Sequence, residues 1–260
     1  MAAAPSQPAL NGAQLTLHHL DHSRSLRVIW LLEHLGIPFA YTRAAVRADS
    51  ADDLKSYKRG ADKLAPKELK QAHPLGHAPV LDIEKDGVKK SLVESGAIMI
   101  SAVERFAPSS GLLPGTDDPN RRYDVLYWVE YAEASIMSPL MYAVVFAQVP
   151  KQAPFFVRPL LSGVSAAVMG IFVNPLVKQH LAYVEEALSK SDGDWICGKD
   201  LTLADFMMSF PLDGARKQWL EKDAAKYKRT LAYLDRIEAE PAMRRAVETG
   251  GRNNFEIFLK

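Results

Sequence analysis

The chain has 260 residues, 48% of them hydrophobic, enough to bury a sizeable core in one large domain or two smaller ones. With 32 basic against 31 acidic residues the formal net charge is +1, spread along the length, so no sustained field is offered to nucleic acid or anionic lipid. A single cysteine, Cys197, excludes an intramolecular disulfide framework and a cysteine-rich metal site, and MAAAPSQPAL lacks the basic flank and apolar run of a leader; a reducing, cytoplasmic setting with a short disordered start is expected.

In chain order, AQLTLHHL (residues 13–20) alternates weakly, as a strand does. SLRVIWLLEHLG (25–36) carries Leu26, Ile29, Trp30 and Leu35 at helical spacing, and Gly36 ends the pattern. IPFAYTRA supplies a second strand. VRADSADDLKSYKRGADKLA (46–65) is charged and poor in apolar residues, which predicts a solvated loop bearing at most a helical turn. APVLDIEKDGVKKSLV (78–93) predicts a hairpin that turns at Asp86 and Gly87, and ESGAIMISAVERF continues as a helix. The order β-α-β, loop, β-β-α predicts a small sheet with helices packed on it over residues 12–107. APSSGLLPGTDDP (107–119), rich in Pro, Gly and Ser, is the linker signal, and from 119 to 260 nearly everything has helical period, predicting an all-α domain.

PLLSGVSAAVMGIFVNPLV (159–177) holds no charge and is about long enough to span a bilayer. Its two prolines, asparagine, serines and glycines dilute that apolarity, and Arg158 and Lys178 flank it. The expectation is a buried helix or the wall of an apolar pocket rather than a membrane segment.

Two neighbouring motifs carry the chemistry. In HPLGHAPVL (73–81), Pro79 stands immediately before a strand, a position where a cis bond would turn the backbone N–H and C=O of Ala78 toward a peptide-like ligand; an ordinary trans proline opening an edge strand is the alternative. In VESGAI, Ser95 is either the N-cap of the following helix or, with that helix's first N–H groups, a carboxylate site beside which Glu94 takes an ammonium. HHLDH (18–22) has the residue types of a metal site, but His18 and His19 on a strand point to opposite faces, so no metal is expected.

HPLGHAPVL followed by VESGAI resembles the glutathione-site signature of glutathione transferases. LDHSRSLRVIWLLEHLGIPF resembles their first helix with its helix-starting serine, and WICGKDLTLADFMMSFPL their buried capping-box helix. Together with SPLM and ELKQAHPLGHAPVL, these segments are most similar to the yeast-type fungal glutathione transferases, over nearly the whole chain. The resemblance implies a thioredoxin-like N-terminal βαβ-ββα domain (12–107) followed by an all-helical domain (119–260), glutathione as co-substrate, and a homodimer in which the first domain of one subunit packs on the helical domain of the other.

Carried onto this sequence, the resemblance gives Glu94 and Ser95 the γ-glutamyl head and has Ala78, held by Pro79, pair with the cysteinyl backbone. His77, where many relatives have lysine or glutamine, is set to reach the glycyl carboxylate; a solvent-facing loop histidine is the alternative. The thiol must ionise. From a reference pKa of about 8.5, only about 3% is thiolate at pH 7, and lowering that pKa by about two takes roughly 2.7 kcal/mol. One hydroxyl hydrogen bond to the charged sulfur contributes about 1.5–3 kcal/mol and a helix N-terminus about 0.3–1. Ser23 and Ser25 both qualify. Ser23, four residues before Arg27 as in serine-class relatives, is preferred as the catalytic hydroxyl, with Ser25 among the glutathione-binding residues; N-capping is the structural alternative for either.

The absence of cysteine from the first domain removes the nucleophile of a mixed-disulfide mechanism. Thr202 and Asp205 have capping-box spacing and are expected to serve folding. The resemblance implies an electrophile pocket between the domains, walled by Tyr123, Tyr127 and Tyr131. The expected activity is conjugation of glutathione to a small hydrophobic electrophile, with reduction of organic hydroperoxides as a second activity. A non-catalytic binding or regulatory protein on the same fold is the alternative.

Overall fold

The structure is a computed structural model that describes residues 10–42, 57–60 and 64–259. Most of the charged 46–65 stretch lies outside the described residues. The chain divides into two compact units, one running to Arg122 and including Glu238–Asn253, the other comprising Tyr123–Ile237 and Asn254–Lys260.

The first unit is built on a four-stranded sheet of order β2-β1-β3-β4, from β1 (Gln14–His18), β2 (Ala40–Thr42), β3 (Val80–Lys85) and β4 (Val88–Val93). β1 runs parallel to β2 and antiparallel to β3, which pairs antiparallel with β4. Asp86 (φ 52) and Gly87 (φ 74) both adopt left-handed φ, as a two-residue hairpin loop requires. α1 (Ser25–Leu35) buries Leu26 and Val28–Leu32 and stops where Gly36, at φ 63, lets the Ile37 N–H return to the Leu32 carbonyl. α2 (Ser95–Phe106) follows β4 directly and buries Ile98, Met99, Ala102 and Val103.

Asp82 is buried in β3, and burial pushes its carboxyl up. Lys89 Nζ, Ser91 Oγ (2.6 Å) and His18 Nε2 (2.9 Å) outweigh burial and hold it below the ordinary carboxylate range.

A late helix completes this unit. α9 (Pro241–Gly250) packs along α1: Trp30 Nε1 donates to Glu240 Oε2 (2.9 Å), His34 Nδ1 meets Glu240 Oε1 (3.2 Å), and Arg245 Nε donates to Glu33 Oε2 (3.1 Å). Glu240 also caps α9 by accepting from the Met243 N–H. Periodicity reports only that 241–250 is helical, so this stretch was grouped by order along the chain with the helical domain. Its partners assign it to the first unit.

The second unit is helical: α3 (Pro119–Ala134), α4 (Met137–Gln152), α5 (Arg158–Val168), α6 (Asn174–Lys190), α7 (Leu203–Ala215), α8 (Lys228–Ala239) and α10 (Glu256–Leu259), with π-helical turns at Met169–Val173 and Arg216–Leu220. α7 is its buried axis. The Asp205 carboxylate there accepts from the Ile196 N–H (3.0 Å), the Thr202 N–H (2.8 Å), the Thr202 hydroxyl (3.1 Å) and the Tyr233 hydroxyl (2.8 Å), so the expected capping box is present.

The uncharged 159–177 segment is not the buried helix of one expectation, although Ser165, Ala166, Met169 and Asn174 line a cavity, as the other had it. Ser165, Val173 and Val177 face inward, but Leu160, Ile171 and Phe172 are 70%, 82% and 54% exposed. Pro159 and Pro175 stand at helix starts, where proline is tolerated, so the prolines do not interrupt an essentially continuous helix. From Arg158 to Lys190 it is long and apolar enough to cross a membrane by length and composition, with 17% of its most apolar window buried.

The carboxylates of Asp205, buried, and Glu240, half-buried, each carry a stability prediction. Asp205→Ala strands donors in a dry interior and should cost about 3 kcal/mol or more in urea unfolding, whereas a loss under about 1 kcal/mol would show that the carboxylate is dispensable. Glu240 feels burial upward but is pulled to about 2 by His34, Trp30 and the Met243 N–H. Its folded pKa is depressed, so its stabilisation is present above the unfolded value and is lost as pH falls through the folded one. Wild type should lose roughly 2 kcal/mol more than Glu240→Gln between about pH 6 and about pH 3; equal losses would contradict this.

Candidate active site

Sheet register gathers the sequence-predicted residues of the first unit at one end of the sheet. Val80, the first residue of β3, stands opposite His18 at the end of β1 and Val93 at the end of β4. The segment before Val80 therefore lies between the loop that leaves β1, carrying Ser23, and the β4–α2 junction, carrying Glu94. The Ala78–Pro79 bond is cis. Pro79 is buried, Ala78 is half-buried against Leu20, Tyr57 and Leu69, and His77 is exposed. Ala78 precedes the β3 ladder, which leaves its main chain outside that pairing.

At the β4–α2 junction the helix begins at Ser95, so Ser95 is the first helical residue and Glu94 holds the N-cap position. The N-cap reading of Ser95 is thereby replaced. Its hydroxyl, in a residue 4% exposed, accepts from Arg27 Nη2 at 3.3 Å. Arg27 is itself 2% exposed, so α1 delivers a buried, permanently charged guanidinium to the start of α2. Cation, hydroxyl and helix N-terminus all favour an anion at one place. Glu94 sits at φ 65 and ψ 119, a conformation costing a side-chain-bearing residue about 1–3 kcal/mol, with its side chain exposed beside that site. Strain of this kind persists where function or surrounding structure holds it.

Ser23 and Ser25 meet directly. Their hydroxyl oxygens are 2.7 Å apart, and the Ser25 N–H donates to Ser23 Oγ at 3.2 Å. Ser25, expected among the glutathione-binding residues, is instead fully buried behind Ser23 with its Oγ 2.6 Å from His19 Nδ1, so it offers no surface to a ligand, while Ser23, 5% exposed, is the outer of the two. His19 Nε2 is 2.8 Å from the Gly250 carbonyl oxygen at the end of α9. His18, one residue earlier, turns the other way to Asp82, so the two histidines point apart.

The three tyrosines lie in the helical unit, along one face of α3. Tyr127 and Tyr183 share a hydrogen bond between hydroxyls (2.9 Å), and the Tyr131 hydroxyl is hydrogen-bonded with His180 Nδ1 (2.6 Å), both partners on α6. Burial first, then Tyr183, pushes the Tyr127 phenol up to about 12; burial pushes Tyr131 up as well. Tyr123 is 66% exposed. A cavity of about 530 Å³ inside the same unit is lined instead by Phe146, Met169, Trp219 and Leu259, with Lys178 and Lys222 at its polar side.

Arg27, His19 and Gly250 escaped the sequence reading as site residues. Arg27 left one signal, a charge on the apolar face of α1, three residues from Trp30. Gly250 left none, because its partner is 231 positions away.

A family model of the glutathione S-transferase N-terminal domain matches residues 13–100, and one of the C-terminal domain matches residues 165–248. The chain is 34% identical over 204 residues to glutathione S-transferase 1 of Saccharomyces cerevisiae, covering 77% of this chain and 80% of that one. A crystal structure of a glutathione S-transferase from Actinobacillus pleuropneumoniae is similar with a TM-score of 0.68 at 29% identity, over 94% of this chain and 96% of that one. A glutathione transferase family member from Pseudomonas fluorescens, crystallised with two glutathione bound, shares the fold with a TM-score of 0.65 at 18% identity, over 90% and 92% of the two chains.

Proposed function

Since the chain belongs to the glutathione S-transferase family of enzymes, we propose that it binds glutathione at the sheet end formed by Ala78, Pro79, Glu94 and Ser95, ionises the thiol beside Ser23, and transfers it to a small apolar electrophile. The observation that carries this reading is the buried Arg27 guanidinium on Ser95 Oγ at the start of α2. That site matches the α-carboxylate of a γ-glutamyl group, with the exposed Glu94 carboxylate beside it for the ammonium on the same carbon. The main chain of Ala78, outside the ladder, is set to pair with the cysteinyl unit, and His77 to reach the glycyl carboxylate. The relative crystallised with glutathione supports the choice of thiol.

In this reading the thiolate sulfur forms a bond to the electrophilic carbon and the leaving group departs with its electron pair. The same thiolate attacks the terminal oxygen of an organic hydroperoxide, the O–O bond breaks and the alkoxide leaves to become the alcohol, and a second glutathione displaces water from the resulting sulfenic acid to give glutathione disulfide. The cavity among Phe146, Met169 and Trp219 supports an apolar second substrate. We propose a homodimer too, on the family resemblance, and a cytoplasmic location, on the single cysteine; sedimentation at micromolar concentration should give the mass of two chains, and a monomer would refute the dimer.

The test of the reading is a pH titration of the thiolate ultraviolet absorbance of glutathione bound to wild type and to Ser23→Ala. Wild type should hold the thiol about two pKa units below the free peptide, and the variant should return it upward by at least about one. Glu94→Gln and Ser95→Ala should each weaken glutathione about tenfold by calorimetry. Binding without a lowered thiol pKa would favour the non-catalytic alternative, and no binding would overturn the glutathione site.

A further inference from the structure

Ser23, Ser25, His19 and Gly250 form an unbroken row, with successive contacts of 2.7, 2.6 and 2.8 Å. The far end of the row fixes the direction of every hydrogen in it. A carbonyl oxygen only accepts, so His19 Nε2 carries a hydrogen and donates it to Gly250. In the neutral ring Nδ1 is then a bare acceptor at 2.6 Å from Ser25 Oγ, closer than the Leu20 carbonyl at 3.3 Å that is the hydroxyl's other acceptor, and the Ser25 hydroxyl donates to it. With its one hydrogen committed, Ser25 Oγ accepts from the Leu20 N–H (3.3 Å) and from the Ser23 hydroxyl. Ser23 Oγ accepts from the Ser25 N–H and has a second lone pair facing outward. At rest, then, the Ser23 hydrogen points inward. This polarity is wrong for holding a thiolate and right for receiving a proton from a thiol.

We infer that His19 is the terminal acceptor of the glutathione thiol proton, which reaches it through Ser23 and Ser25. The inference rests on the glutathione site proposed above. The thiol hydrogen passes to Ser23 Oγ, the Ser23 hydrogen to Ser25 Oγ, and the Ser25 hydrogen to His19 Nδ1. One S–H and two O–H bonds break; two O–H bonds and one N–H bond form. The S–H electron pair stays on sulfur, and a thiol plus a neutral imidazole become a thiolate plus an imidazolium. Ser23 is thereby reversed, and its new hydrogen points at the sulfur. Once the thioether has formed, the imidazolium returns its proton outward along the same row to solvent.

The surroundings suit a positive ring. The Gly250 carbonyl lies at the C-terminal, negative end of α9, and the Asp21 carboxylate stands 3.8 Å from Nε2. Beyond Asp21 lies Arg59, whose Nε donates to the Asp21 carbonyl, while His18 and Asp82, hydrogen-bonded to each other, face away from the row. His19 is 1% exposed, so water does not compete for Nδ1. The close approach requires glycine: a Cβ on residue 250 would lie 2.5 Å from Ile29 Cδ1 and 3.3 Å from His19 Cε1.

The experiment compares wild type, His19→Asn, Ser25→Ala and the double variant by glutathione calorimetry, bound-thiolate absorbance against pH, and kcat/KM against pH. His19→Asn retains a hydrogen-bonding group near the Nδ1 position but accepts no proton; Ser25→Ala cuts the row with His19 in place and serves if the first variant does not fold. Both should bind glutathione within about twofold of wild type and raise the bound thiol pKa by about one to two. Both should lose about 10- to 100-fold in kcat/KM near pH 7, recovering above about pH 9, and the double variant should lose no more than the worse single one. A lowered wild-type thiol pKa retained in both variants, or a loss equal at every pH, would overturn the relay while the glutathione site stands. Wild-type protein that binds no glutathione, or leaves its thiol protonated, would overturn the site itself and the relay with it.

Discussion

The Glu240 carboxylate holds together parts of the first unit that are more than 200 positions apart in the chain. It accepts from Trp30 and Met243 and meets His34, so one half-buried anion caps α9 and fastens it to α1. A ten-residue helix spans about 15 Å, so anchoring its N-terminus sets where its last carbonyls lie. One of them, on Gly250, meets His19. The polarity of the Ser25–Ser23 pair therefore depends on a helix supplied by the far end of the sequence.

α1 takes an unusual burden for a core helix. It buries Ser25 and Arg27 beside Val28, Ile29 and Trp30, and buried polar groups are costly unless they are hydrogen-bonded. The two sides of this burden differ in chemistry. Arg27 stays charged at every accessible pH and so presents a fixed cation to a carboxylate. His19 has a ring nitrogen that can take up and release a proton, and so suits one that must come and go. A fixed charge at α2 and a titratable ring behind Ser25 divide binding from ionisation, and both are positioned from the same helix start.

What was legible in the sequence was local. Asp86–Gly87 named its own turn, Gly36 its helix end, and Thr202 and Asp205 their capping box, because each signal and its partner lie within a few residues. Pro79, Glu94 and Ser95 were found as a pattern, and the sheet register explains why they gather: Val80 is flanked by His18 and Val93. Contacts that periodicity does not report were missed. The helical period of 241–250 carries no word of Trp30, and the absence of charge in 159–177 suggested burial although its inward stripe is narrow. Ser95 looked like a cap because a serine before an apolar run usually is one; the start of α2 one residue earlier, and Arg27 arriving from α1, gave the hydroxyl a different partner.

The choice between Ser23 and Ser25 also changes form once the row is seen. From sequence they are competing candidates for one hydroxyl role, separated only by spacing from Arg27. In three dimensions they are 2.7 Å apart and differ in depth, Ser25 wholly enclosed and Ser23 at the outer end. A hydroxyl has one hydrogen, so a serine that must both hold a sulfur anion and satisfy a buried neighbour needs a second group to take up the difference. Ser25 is that group for Ser23, and His19 is that group for Ser25. In the proposed relay, activation of the thiol is then a property of the row as a whole, set by the carbonyl at its inner end.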